Sequence, residues 1–197
     1  MIIYIVGISC VGKTTIGKML ADKIGFAFFD LNEEIEKYYK KPIERIQDEF
    51  PTIDGFRKKA SVVLDQLLTK HADTDTVIAG TPSGLMFSYL SVYKKHKAKT
   101  NLLSIHIKDS PENILNRLTF YDKDSNPITV EMDGFKEILY LKELNADYNS
   151  FKRSYKRADL EVNIENIPLK DLPDLIIKEL QKHKIVTTAN IQSKQSW

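Results

Sequence analysis

The stretch G-I-S-C-V-G-K-T-T, Gly7 to Thr15, follows the apolar run Ile2–Val6 and leads into an amphipathic segment, Lys13–Ile24. It matches G-x-x-x-x-G-K-[ST] at Gly7, Gly12, Lys13 and Thr14, between an expected strand and an expected helix, the setting in which this spacing cradles phosphate. The glycines let the backbone wrap closely, so that successive N–H groups point inward, and the new helix adds the positive end of its dipole. Lys13 is placed to bridge the β- and γ-phosphates, and the Thr14 hydroxyl to ligate Mg²⁺. The expected nucleotide-binding residues are therefore Gly7, Cys10, Val11, Gly12, Lys13, Thr14 and Thr15. Cys10 stands where related loops often carry glycine. Its small side chain is expected to face away from the ligand, at a position that does not need positive φ.

Outward from the cradle, short apolar runs alternate with longer amphipathic ones, the pattern of a parallel sheet with crossover helices. Strands are expected at Ile2–Val6, Phe26–Phe29, Thr76–Ala79, Leu102–Ile107 and Leu160–Ile164. Helices are expected at Lys13–Ile24, Glu33–Lys40, Ile43–Glu49, Phe56–Lys70, Ser83–Lys97, Met132–Arg157 and Leu169–His183, with another capped by Ser110 and opened by Pro111. Tyr121–Pro127, Y-D-K-D-S-N-P, reads as a polar loop. The expectation is one α/β domain over residues 1–183, with a lid at about residues 119–130. Residues 184–197 lack clear periodicity and read as a tail, either a short appendage or disordered.

The 197 residues suffice for one sizeable core without staples. With 29 basic and 27 acidic residues the charge is close to balance, which argues against a dedicated nucleic-acid binder. A single cysteine allows no internal disulfide and fits a reducing, cytoplasmic compartment. The opening M-I-I-Y-I-V-G is too short an apolar run for a signal peptide or a membrane span. The four histidines are scattered without metal spacing.

The second expected strand ends on Asp30, in F-F-D-L-N-E-E-I-E. In open α/β sheets ligands bind at the carboxyl ends of strands, so Asp30 should share the cradle's crevice. There a carboxylate can hold a Mg²⁺-bound water or orient an attacking hydroxyl. It can also cap the next helix, with Glu33 in capping-box register, and the two roles are compatible.

The P-loop followed by D-L-N-E-E-I-E, P-I-E-R-I and the G-F-R of Gly55–Arg57 resembles the shikimate kinase family over most of the chain. The resemblance implies a five-stranded parallel sheet in the order 2-3-1-4-5 with helices on both faces. It also implies transfer of the ATP γ-phosphate to a hydroxyl of a small acidic metabolite, shikimate or a relative. Carried over residue by residue, it assigns catalysis to Lys13 and Asp30 and metal binding to Thr14 and Asp30; Lys123 is the catalytic candidate in place of the family's lid arginines. Acceptor binding falls to Asp30, Asn32, Arg57, Gly80 and Thr81. Arg57 can grip a carboxylate with its guanidinium fork; residue type alone favours a solvated helix arginine, and the preceding Gly-Phe with the matched spacing brings the two readings level.

The chain also departs from that family's pattern. Asn32 replaces the second aspartate of D-x-D, and an amide cannot take a proton at neutral pH. Gly80-Thr81-Pro82 replaces G-G-G and loses an N–H. The expected lid has Lys123 as its only cation, between Asp122 and Asp124, and the late family arginine has no aligned counterpart, Arg153 being nearest. Phe120 or Tyr121 reads as a buried aromatic at the lid base, the other reading being a stack on adenine in place of an arginine. The expected partners are ATP, with Mg²⁺, and a small acceptor, with no nucleic acid or membrane, in a monomer or small homo-oligomer. Two other readings remain: a nucleoside monophosphate kinase, against which the missing lid arginines count, and a nucleotide-binding regulatory protein with little transfer activity.

Overall fold

The computed structural model describes residues 1–183; the expected tail lies outside them. Five parallel strands form one sheet: β1 (Ile2–Val6), β2 (Ala27–Asp30), β3 (Thr76–Ala79), β4 (Leu102–Lys108) and, after the hairpin strands β5 (Phe120–Tyr121) and β6 (Pro127–Ile128), β7 (Leu160–Asn163). Their spatial order is β2-β3-β1-β4-β7. Counted within the sheet this is 2-3-1-4-5, as the family resemblance implied. All five residues of β1 are buried. Successive strand side chains point to opposite faces, so the central strand is covered on both sides, as parallel sheets require. Helix α1 (Lys13–Ile24) packs on β2 and β3 and against α8 (Leu172–Lys182). Helix α4 (Ile53–Lys70) packs against α2 (Leu31–Tyr39) and α5 (Phe87–Lys97). Each strand-helix alternation thus returns the chain to the same end of the sheet.

The register brings the functional loops together. Ile5 of β1 pairs with Ala79 of β3, and Ala79 in turn with Asp30 of β2. The cradle after β1, the carboxylate ending β2 and the loop after β3 therefore leave the sheet side by side. The chain runs to one side of β1 for β2 and β3 and to the other for β4 and β7, which puts a topological switch point beside the cradle.

Three local expectations need correction. The helix expected from Ser83 begins at Phe87, because Gly84 adopts φ +58° and breaks any earlier helical turn. The Ser83 hydroxyl instead lies 3.3 Å from that of Thr81. The polar stretch Tyr121–Pro127 is a hairpin rather than an open loop, joining β5 (Phe120–Tyr121) to β6 (Pro127–Ile128). Asp122 organises its turn by accepting from the amides of Asp124 (2.8 Å) and Asn126 (2.9 Å). The third correction, at Cys10, concerns the site.

The hairpin is docked rather than free-standing. The Ser125 hydroxyl meets the carboxylates of Glu36 in α2 and Glu44 in α3 (Ile43–Asp48), and Arg45 pairs with Asp124 at 2.5 Å. The same Glu36 oxygen accepts from the Ile43 amide at 2.8 Å, tying α2 to α3 beneath the hairpin.

Candidate active site

A cavity of about 930 Å³ opens at the carboxyl ends of the strands, and most of the expected site residues line it. Its floor is the cradle. A Cβ on Gly7 would lie 2.7 Å from the Ile107 carbonyl oxygen, so only glycine lets this loop pack against β4. Gly12, at φ +100°, turns the chain into α1, whose first turn has no side-chain cap; its N–H groups face the site as donors. Cys10 also has positive φ, +57°. This contradicts the sequence expectation and accounts for the glycine found in related loops, since only glycine takes that conformation without a steric penalty. Its side chain lines the cavity instead of facing away. Val11, in contrast, is fully buried, its side chain packed beneath Gly7 of the cradle.

Lys13 is 9 % exposed, and its ammonium donates to the carbonyls of Gly7 (2.9 Å) and Ile8 (2.8 Å). Burial lowers its pKa to about 8, against the opposing pull of Asp30. The Thr14 hydroxyl donates to Asp30 Oδ2 at 2.6 Å, while Asp30 Oδ1 accepts from the Asn32 amide at 2.9 Å. Asp30 is therefore both the N-cap of α2 and a cavity wall beside Lys13. Glu33 turns to Lys37 at 3.6 Å. The Asn32 side-chain oxygen is buried without a protein partner.

Arg57 lines the opposite wall and is not a solvated helix arginine. Its side chain is only 11 % exposed, held by Asp54 at 2.7 Å and lying 5.5 Å from the centroid of the Phe151 ring. Its Nε is buried with no partner. Thr81 is buried at the cavity edge, and a Cβ on Gly80 would lie 2.7 Å from the Tyr4 ring and 2.9 Å from the Ile5 oxygen. The loop carrying both is fixed from α7 (Gly134–Tyr155) and the turn after it. Ser154 donates to the Ser83 carbonyl (2.7 Å), Tyr155 to that of Pro82 (2.6 Å) and Arg157 to that of Leu85 (3.0 Å). Arg157 is thus a loop tether, while Arg153 is exposed and outside the cavity lining.

Lys123 sits in the hairpin turn and does not line the cavity. Arg117, to which sequence reasoning gave no role, does line it, and its guanidinium pairs with the buried carboxylate of Asp109. Tyr121 also lines it and is 52 % exposed, so it is not a buried lid-base aromatic. Phe120 packs beside Tyr140, ring centroids 5.0 Å apart. Sequence reasoning also missed Asp147 and Phe151, one helical turn apart on α7, whose positions no local motif marks. Among the described residues no group of three or more His, Cys, Asp or Glu side chains could hold a metal ion by itself.

The family model for shikimate kinase matches residues 9–181. The chain belongs to the shikimate kinase family. As a member it is a small-molecule kinase that uses ATP to phosphorylate a hydroxyl group. A shikimate kinase of Caldicellulosiruptor saccharolyticus is 27% identical over 185 residues, covering 94% of this chain and 93% of that protein. The chloroplastic shikimate kinase of Solanum lycopersicum is 27% identical over 173 residues, but this chain spans only 55% of its length. Among solved structures, the shikimate kinase from Acinetobacter baumannii in complex with shikimate superposes with a TM-score of 0.74 at 23% identity, covering 94% of this chain and 95% of that one. The enzyme from Aquifex aeolicus gives 0.69 at 24% identity, covering 94% and 99%. At these identities the structural likenesses carry the fold, while the family model carries the membership.

Proposed function

We propose that this shikimate kinase family member phosphorylates shikimate itself with Mg-ATP, in the cavity at the switch point. The observation that supports this best is the pairing of the phosphate cradle with Arg57 across one cavity, the Arg57 Nε being buried and unpartnered. A planar carboxylate entering the cavity would be gripped by the guanidinium of Arg57. Asn32 and Thr81 would meet hydroxyls of the acceptor, and Asp30 would orient the attacking hydroxyl and take up its proton as the γ-phosphoryl group transfers to the oxygen. Lys13 would exchange its two carbonyl partners for phosphate oxygens. The Thr14 hydroxyl and the Asp30 carboxylate, 2.6 Å apart, form a hard-oxygen pair suited to Mg²⁺. When bound, that ion supplies charge neutralisation at the phosphates. Residues 119–130 would act as the lid, with Arg117 rather than Lys123 providing positive charge at its base.

No helix among the described residues is long and apolar enough to cross a membrane. The test is ADP release from Mg-ATP on adding shikimate, run beside Lys13→Ala and a panel of hydroxy acids, sugars and nucleoside monophosphates. Stimulation by shikimate above every other panel member is expected. Stimulation by a nucleoside monophosphate instead, or nucleotide binding with no stimulation at all, would reject the proposal in favour of one of the two alternatives.

A further inference from the structure

The α7 wall of the acceptor pocket carries chemistry that the reading above does not use. Asp147 and Phe151 lie four residues apart on α7 and both line the cavity, so they share one helix face. Phe151 carries the Arg57 guanidinium against its ring. Asp147 is an exposed residue; partial desolvation of its carboxylate and the nearby Glu143 push its pKa up, against the opposing pull of Arg57, with a net rise. Its carboxylate makes no hydrogen bond or ion pair among the described residues, and the cavity it lines holds two further polar atoms without partners, Asn32 Oδ1 and Arg57 Nε.

The charges in this half of the cavity decide what can enter. Arg57 is bracketed by two carboxylates, Asp54 at 2.7 Å and Asp147 on the facing helix, and Arg153 is turned away. A pocket with that balance accommodates one anionic group at Arg57. A second would face Asp147 as a like charge. An ionised carboxylate accepts hydrogen bonds and donates none, so its complement on a ligand is a hydroxyl.

We propose that Asp147 is a specificity-determining residue that accepts a hydrogen bond from a non-reacting hydroxyl of the acceptor. It thereby selects a polyhydroxylated monocarboxylate and rejects dicarboxylates. This rests on the proposed reading of the site and sharpens it: the carboxylate goes to Arg57, and a hydroxyl of the same ligand goes to Asp147 on α7.

The test is a titration of the full-length protein, held with a non-hydrolysable ATP analogue. The ligands are shikimate, its deoxy analogues each lacking one hydroxyl, and a dicarboxylate of similar size, against wild type, Asp147→Ala and Asp147→Asn. In the wild type one deoxy analogue should bind about 10- to 100-fold more weakly than shikimate, as expected for a lost hydrogen bond to a charged group. In Asp147→Ala that same analogue and shikimate should bind equally. Both variants should gain affinity for the dicarboxylate, and binding of the ATP analogue should not change. A merely structural role for Asp147 would weaken all acceptors together and leave the penalty for the missing hydroxyl in place. That result, or unchanged selectivity in both variants, would overturn the inference alone. Failure of the wild type to bind shikimate would overturn the functional reading and this inference with it.

Discussion

Replacing Asp30 by asparagine separates its two roles. The carboxylate accepts two hydrogen bonds, from the Thr14 hydroxyl at 2.6 Å and the Asn32 amide at 2.9 Å. Asparagine has the same shape and caps helices as well as aspartate. Its oxygen can keep the Asn32 amide, and its NH₂ can face a Thr14 hydroxyl rotated to accept. What is lost is charge assistance on each bond, about 1 kcal/mol apiece, so stability should fall by about 1–2 kcal/mol. In a domain of this size that lowers the melting temperature by about 2–8 °C. The chemistry should suffer far more, because an amide cannot take a proton. We expect kcat to fall by about 10²- to 10⁴-fold with the KM for ATP little changed. The assay pairs steady-state kinetics at saturating acceptor with a thermal melt of the same sample. Turnover within about threefold of wild type would reduce Asp30 to a helix cap and refute the assignment.

Three further outcomes follow from the geometry. Gly80→Ala should lower stability by about 1–3 kcal/mol in denaturant titration, since its Cβ would meet the fully buried Tyr4 ring and a backbone oxygen of the central strand. It should also raise the acceptor KM by displacing Thr81. Lys13 titrates at about 8 when folded against 10.5 when free, so the unfolded chain binds more protons between those values and stability should rise with pH across that window. Nucleotide needs the cation, so affinity for an ATP analogue should decline above about pH 8, and a Lys13→Met variant should lose both dependences. Cys10 lines the cavity, so its alkylation, followed by mass spectrometry, should be blocked by bound Mg-ATP; equal labelling rates with and without nucleotide would place the thiol outside the nucleotide site.

The donor half of the site was legible because its chemistry is local. Gly7, Gly12, Lys13 and Thr14 lie within eight residues, and their spacing encodes a loop between a strand and a helix. Asp30 was legible for a related reason: it ends a strand, and parallel strands place such ends together. The acceptor half is assembled from α3, α4, α7 and the loop after β3, so its members meet only through packing. No periodicity in the α7 sequence distinguishes Asp147 from the other charges on that helix. Arg57 was ambiguous because exposure decides its meaning, and exposure is a tertiary property. Cys10 was misjudged because residue type alone suggested an ordinary φ, whereas the cradle's curvature imposes a left-handed one. The hairpin escaped notice because its strands, Phe120–Tyr121 and Pro127–Ile128, are too short to show alternation, and Asp122 shapes the turn through side-chain bonds.

The central claim is that this cavity moves the γ-phosphate of ATP onto shikimate. Phosphorus NMR of the full-length protein with Mg-ATP and shikimate follows that phosphate directly and separates transfer from hydrolysis. The account predicts a phosphate monoester appearing as fast as ADP, absent with Lys13→Ala and with shikimate omitted. Inorganic phosphate appearing in place of the ester, at a rate shikimate does not alter, would contradict it.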